Sequence, residues 1–360
     1  MGMFAVEPSN SAASDAERAA ALSDPGFGRV FTDHMATAVW TPDAGWHDHR
    51  IGALRPFTLH PSAAVLHYAQ EVFEGLKAYR HADGSVWLFR PDRNAARLAS
   101  SARRLALPEL DEVTFIESVT ELVRLDQAWV PAHGGEQSLY LRPFMFASEA
   151  FLGVRPAVEI TYCVIASPVA GFFHGGVSGV RLWVSTDHTR AAPGGTGAAK
   201  CGGNYASGLA AQLQAQRRGC DQVMYLDGVE HEWLEESGAM NMFLVTADRE
   251  LITPSLGTIL DGITRDSVLR LADSHGLTPV QRPVSLTELR RRCADGSVTE
   301  AFAAGTAALI TPIVEFAGDT YDVRVAGGEP GKATLALREH LLDIQYGRAE
   351  DRHGWLRRVE

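Results

Sequence analysis

The chain has 360 residues, 46% hydrophobic and 21% charged, a composition of folded globular domains rather than of a disordered polymer. Its formal net charge of −11 has the wrong sign for binding a phosphate backbone, so nucleic acid is not an expected partner. No apolar run approaches the roughly 18 residues that span a bilayer, and the N-terminus lacks the basic start and apolar core of a signal peptide; no membrane partner and a cytoplasmic location are expected.

Taken in chain order, residues 1–25 are polar enough to be expected as a disordered tail. Residues 26–166 are expected to form a small N-terminal domain. Within it FTDHMATAVW alternates as a strand does, WHDHR suggests a solvated loop rather than a metal site, and SVWLFR follows the turn HADG as a strand. Pro91 opens a helical run carrying Arg93, Arg97, Arg103 and Arg104, a second helix is predicted over Glu112–Trp129, and SLYLRPFMF reads as a strand. SPVAGFFHGGVSG, residues 167–179, is rich in glycine and is the expected interdomain linker.

Residues 180–360 are expected to form the larger domain. VRLWVST is strand-like, and ASGLAAQLQAQRR is a helix that Gly219 can end. DQVMYLDGVEHEWLEE carries an Asp-Gly turn between strands, and MNMFLVTADRELITP looks like another hairpin. GITRDSVLRLADSHG is a helix closed by Gly276, and Ser285 and Glu288 stand at capping-box spacing. Cys163, Cys201, Cys220 and Cys293 form no CxxC pair, so neither zinc nor a disulfide framework is expected.

Lysine is rare: only Lys77, Lys200 and Lys332 occur among 33 basic residues. Arginine stays protonated, whereas a desolvated lysine can become a nucleophile. Lys332 reads as a surface residue, but Lys200 lies in GTGAAKCGGNYASG, where small neighbours leave room for a bulky group. An acid in LEESGAMN, a glycine turn opening a helix in LDGITRDS and the basic helix around Arg97 complete a set that pyridoxal phosphate requires: an amine, an acidic partner for its ring nitrogen and a phosphate cradle.

In order along the chain, FTDHM, LHYAQEVFEGLKAYR, LFRPDRNAARL, LYLRP, KCGGNY, GCDQV, ESGAMN, GITRDS, FAAGTAA and DIQYG resemble the motifs of the branched-chain amino acid aminotransferases, fold type IV pyridoxal phosphate enzymes. The resemblance runs from about Phe27 to Trp355. It implies an α/β (α+β) fold of two domains, the smaller N-terminal and the larger C-terminal and pseudo-barrel-like, with the site at their interface. It makes Lys200 the Schiff-base lysine and Tyr205 the partner of the cofactor's phenolic oxygen. Glu236 would pair with the ring nitrogen, while Arg97, Ile263, Thr264 and Thr306 would hold the phosphate.

By the same resemblance Phe27, Tyr68, Phe73 and Tyr140 would line the substrate side, Tyr68 reaching across from the partner subunit of a homodimer with shared sites. The backbone at Thr306 and Ala307 would hold the substrate carboxylate, and Arg142 the distal carboxylate of glutamate. Arg90, Asn94 and Lys77 are assigned bracing or structural roles, and Cys201 that of a small buried filler. Ala308 and Thr311 stand where animal forms carry CxxC, so the redox switch of that pair is not expected, and Phe172 replaces a tyrosine of some members. The expected chemistry is ping-pong transamination between L-leucine, L-isoleucine or L-valine and 2-oxoglutarate. The alternatives are a D-amino acid aminotransferase or an aminodeoxychorismate lyase of the same fold, and, from another class, a non-catalytic binding protein that kept the fold.

Overall fold

The structure is a computed structural model and describes residues 2–171 and 178–360. Two compact units emerge. The first gathers the described residues up to 171 together with Ala199–Gly202 and Asp343–Glu360; the second gathers residues 178–198 and 203–342. Two later segments, Ala199–Gly202 and Asp343–Glu360, belong with the first unit rather than with the expected larger domain. Of the expected linker, Ser167–Val169 end a strand instead, because Ser138–Val169 and Tyr140–Ser167 pairing continues to that point. Residues 172–177, Phe172 included, lie outside the described residues.

The first unit is built on a nine-stranded sheet. Its order is Ala5–Val6, Gly45–Ala53, His34–Thr41, Ile160–Val169, Ser138–Ala147, Leu76–Arg80, Val86–Phe89 and Leu356–Val359, with Glu71–Phe73 pairing beside Ser138–Ala147. Every pairing is antiparallel except that of Ala5–Val6. The helices Pro91–Arg104 and Glu112–Leu125 each present an apolar stripe at helical spacing: Ala95, Leu98 and Ala102 on one, Phe115, Val119 and Leu122 on the other. Both stripes join Leu76, Leu88, Leu139 and Leu141 of the sheet in one core. Asp111 caps the second helix by accepting from the Thr114 N–H at 2.9 Å.

Two expectations fail here. Residues 2–25 are not a disordered tail: Ala5–Val6 adds a strand to the sheet, Phe4 is buried in the core, and Asp15–Ser23 is a helix. Its start is a complete capping box, Ser14 accepting from the Glu17 N–H while the Glu17 carboxylate accepts from Ser14. Polar composition hid a segment that is held by a few specific contacts. WHDHR is not a loop either; it lies in the strand Gly45–Ala53, where the His49 ring meets Phe4 edge-on at 5.2 Å.

The second unit closes a ring of strands. Leu234–Ser237, Gln222–Leu226, Val180–Ser185, Leu309–Ala317, Val298–Gly305 and Met240–Thr246 pair in that order, and the last pairs again with the first. This is the barrel-like sheet that the sequence resemblance implies. Glu250–Thr253, Thr278–Gln281 and Asp322–Arg324 extend it outward. Leu182, Val184, Met224, Leu244, Ala301, Ala303 and Ile313 belong to its core, and the helix Leu209–Arg217 packs Ala211 and Ala215 against Trp183 and Val223 outside it.

Gly219 and Gly276 follow their helices with positive φ, as the sequence suggests. The DG hairpin is longer than a two-residue turn, because the Asp227 carboxylate gathers the N–H groups of Val229, Glu230, Glu232 and Trp233 into a seven-residue connection. Burial works to raise the Asp227 pKa, but the four donors together outweigh it and lower it from 3.8 to about 2. Ser285 caps its helix, but the Glu288 carboxylate pairs with Arg282 and Arg292, so only half the expected capping box forms.

Candidate active site

In the first unit the lysine is fixed by its backbone. The Lys200 N–H donates to Ser101 Oγ at 2.9 Å, and the Lys200 carbonyl accepts from the Phe73 N–H at 2.9 Å. Two residues on, the Gly202 N–H donates to the Glu71 carboxylate. Burial raises the Glu71 pKa, while that N–H and the Arg142 charge work to lower it. Glu71 and Phe73 alternate on one short strand and so share a face. On that face Lys200 Nζ stands 4.6 Å from the Phe73 ring centre.

The Arg142 guanidinium lies 4.7 Å from the same Phe73 ring and 5.4 Å from that of Tyr140, and Arg142 Nη2 donates to Tyr140 Oη at 3.1 Å. Phe27, half of it exposed, meets Tyr140 edge-on at 5.2 Å. Gly75 is required here, since a Cβ would overlap the Tyr140 hydroxyl. Phe27, Phe73, Tyr140, Arg142 and Lys200 are therefore brought together in the first unit. Tyr68 stands apart from this chain of contacts, 40% exposed beside exposed Leu66, its hydroxyl donating to the Leu152 carbonyl.

Arg97 and Ser101 lie four residues apart on the helix Pro91–Arg104 and so share a face with one another. Arg97 meets Glu74 in a forked pair, Nε to Oε1 at 2.7 Å and Nη2 to Oε2 at 2.8 Å. Glu74 is fully buried and also accepts from Asn94 Nδ2 at 2.7 Å and the Gly75 N–H at 3.1 Å. Asn94 thus supports the carboxylate that forks Arg97. Lys77 lies buried opposite Tyr140 in the sheet, and Cys201 is buried in the core of the first unit.

In the second unit the acid sits where the ring closes. Glu236 pairs with Asn241, and Asn241 in turn with Ala304, so three adjacent strands bring the acid level with the turn that holds Thr306 and Ala307. Glu236 Oε1 accepts from the Leu260 N–H at 3.0 Å and from Asn241 Nδ2 at 3.1 Å; Oε2 faces Arg190 Nε at 2.9 Å. Asn241 Nδ2 also donates to the Leu260 carbonyl at 2.9 Å. Ile263 and Thr264 begin the helix Ile263–Leu271 behind Gly262, an N-cap with no side chain to occupy the anion-favouring end. A Cβ on Gly262 would overlap Asn241 Oδ1, so the same asparagine positions both the acid and the helix start. Tyr205 stands on the one-turn helix Gly202–Ala206. Ala308 and Thr311 are both buried, and all four cysteines are free.

The Amino-transferase class IV family model matches residues 71–316. The chain belongs to the class IV aminotransferases. It is 52% identical over 360 residues to the branched-chain-amino-acid aminotransferase of Mycobacterium tuberculosis, covering 99% of this chain and 98% of that one. It is 54% identical over 354 residues to the probable branched-chain-amino-acid aminotransferase of Streptomyces coelicolor, covering 98% and 97%. Among solved structures, the T.th. branched-chain amino acid aminotransferase complexed with N-(5′-phosphopyridoxyl)-L-glutamate superposes with a TM-score of 0.69 at 27% identity, over 90% of this chain and 99% of that chain.

The residues present suit the cofactor of a class IV aminotransferase. One unit offers a primary amine against an aromatic face. The other offers a buried carboxylate whose surroundings are N–H donors and a guanidinium, together with an uncapped helix start. Glu71, Glu74, Ser101, Arg190 and Asn241 escaped the sequence reading. Glu74 and Glu71 lie inside the quoted FEG and QEVF stretches and could have been singled out as carboxylates next to glycine and phenylalanine. Arg190 is one arginine among many, and no pattern marks it.

Proposed function

We propose that this class IV aminotransferase is a branched-chain-amino-acid aminotransferase. It transfers the amino group of L-leucine, L-isoleucine or L-valine to 2-oxoglutarate and yields the 2-oxo acid and L-glutamate, or runs in reverse. The observation that carries the reading is the Phe73 ring with Lys200 Nζ and the Arg142 guanidinium both against it, which sets a reactive amine in an aromatic wall holding one cation. An aliphatic side chain packs on such a wall, and a distal carboxylate finds its charge partner in Arg142. The two relatives above, alike over nearly their whole length, favour this reading over the D-amino acid aminotransferase or aminodeoxychorismate lyase alternative.

Pyridoxal 5′-phosphate supplies an electron sink for the bond to the substrate α-hydrogen when bound. Lys200 carries it and its Nζ moves the α-proton. Glu236 stands as the anion for the ring nitrogen and Tyr205 as a hydroxyl partner. Arg97, oriented by Glu74, holds the phosphate with Ile263, Thr264 and Thr306, and the backbone at Thr306 and Ala307 takes the substrate carboxylate. Tyr68, exposed as it is, completes the site of a partner copy in a cytoplasmic homodimer. Among the described residues no helix is long and apolar enough to cross a membrane.

The test is the visible spectrum of the cofactor-loaded protein. A band that bleaches with L-leucine and returns with 2-oxoglutarate supports the substrate class; a band that answers only to D-alanine overturns it. Lys200→Ala is expected to abolish turnover, and near-normal turnover would remove the lysine from its role.

A further inference from the structure

Three charged side chains near Glu236 in its own unit do different things. Glu235, next to it, turns its carboxyl to the Thr258 hydroxyl, and burial raises its pKa. Arg265 feels the Glu236 charge, but its Nη2 donates to the Pro254 carbonyl at 3.2 Å and to Gln281 Oε1 at 2.8 Å. Only Arg190 among these meets the carboxylate directly, Nε at 2.9 Å from Oε2, with side chains 7% and 3% exposed. That N–H has no aligned hydrogen-bond acceptor, so charge rather than a directed bond joins the pair.

The other end of the same guanidinium does a second job. Arg190 Nη2 donates to the Gly197 carbonyl at 3.0 Å and to the Thr258 carbonyl at 2.7 Å. Gly197 itself lies so close to Thr258 that a Cβ would overlap the Thr258 carbonyl. The same loop lines an open pocket of about 550 Å³ with Pro254, Leu256, Thr258, Ile259 and Glu235 among its walls. Two residues beyond Thr258, the Leu260 N–H reaches Glu236 Oε1. One side chain therefore ties the acid, the segment that leads towards Lys200 and the loop that supplies the acid's backbone donor.

We infer that Arg190 is a positioning residue for the reaction: it holds Glu236 as an oriented carboxylate and fixes the Thr258–Leu260 segment that donates to it. The inference rests on the reading that Glu236 faces the cofactor's ring nitrogen. Arg190 touches neither substrate nor cofactor in this role. A guanidinium suits it because its rigid fork serves an anion and two carbonyls at once, which a lysine ammonium on a flexible stem does not reproduce.

The test compares Arg190→Gln, Arg190→Lys, Glu236→Gln and the double variant Arg190→Gln/Glu236→Gln. In cofactor-loaded protein, single-turnover rates with L-leucine are expected to fall about tenfold or more in Arg190→Gln, with little change in KM, because an interaction felt in the transition state is lost. The double variant is expected to be no slower than Glu236→Gln, since both changes disable one unit. In cofactor-free protein, hydrogen exchange at the Leu260 amide is expected to quicken in both Arg190 variants, and Arg190→Lys keeps this readout available if Arg190→Gln folds poorly. Effects that multiply in the double variant, or unchanged Leu260 exchange in Arg190→Lys, overturn the inference. If Glu236→Gln alone leaves the rate unchanged while Leu260 exchange quickens in the Arg190 variants, the cofactor-facing role of Glu236 fails and the catalytic part of the inference falls with it. The structural tie then stands on its own.

Discussion

The two units support their candidate residues in different ways. The first relies on side chains that hold other side chains: Glu74 forks Arg97, Ser101 holds the Lys200 backbone, and Phe73 supports both Lys200 and Arg142. The second relies on strand register and backbone donors, with Glu236, Asn241 and Ala304 level across three strands and Leu260 supplying an N–H. The candidate residues of the first unit should therefore be most sensitive to truncated side chains, and those of the second also to anything that displaces backbone.

The sharpest way to break that contrast is Glu74→Ala. It leaves the Arg97 guanidinium, only 11% exposed, without its carboxylate, and a loss of about 3–5 kcal/mol in urea unfolding is expected. A loss below about 1 kcal/mol would show that the pair carries little of the first unit. Gly262→Ala tests the second unit. The added Cβ displaces Asn241, so about 1–3 kcal/mol of stability should go. The L-leucine half-reaction should slow by about a hundredfold, because both Glu236 and the helix start move.

Asp227→Asn sharpens the contrast within the second unit, away from the acid. Its carboxylate gathers four N–H groups, and weakening them should cost about 1–3 kcal/mol at neutral pH. The native pKa is depressed, so the stabilisation is full above the ordinary value of 3.8 and is lost as pH falls towards about 2. Wild type and variant should converge in acid unfolding over that window; a gap that persists below it would assign the effect to shape rather than charge. Ser101→Ala is the mildest change, about 1 kcal/mol, with the lysine backbone losing one acceptor. An effect as large as that of Glu74→Ala would mean that the Ser101 hydroxyl, and not the Glu74–Arg97 fork, is the main support of the first unit's candidate residues.

Much of this was legible in the sequence because motifs there coincide with local rules. Pro91 starts a helix, Gly219 and Gly276 end theirs, and Lys200 stands out in a chain that otherwise uses arginine. What stayed hidden depends on distant partners. Glu74 meets Arg97 across 23 positions, Arg190 meets Glu236 from the irregular segment that follows the strand Val180–Ser185, and the ring's closure rests on the two pairings Glu236–Asn241 and Ser237–Met240, which no periodicity foretells. Residues 2–25 hide their order for the opposite reason. Their composition is polar on average, while their order comes from single contacts: the Ala13 N–H to Asp33 Oδ1 at 2.9 Å, and the Ser9 N–H to His34 Nε2 at 2.8 Å.

That docked N-terminal segment has a practical consequence for handling the protein. Ala5–Val6 lies along the outer side of Gly45–Ala53, matching Arg50 and Ile51, and so covers part of a strand that would otherwise offer open N–H and C=O groups to any other extended chain. Trimming the first dozen residues would leave the chemistry untouched and change the shelf life: stored at high concentration, the shortened protein should form sheet-paired aggregates while its freshly prepared specific activity remains normal.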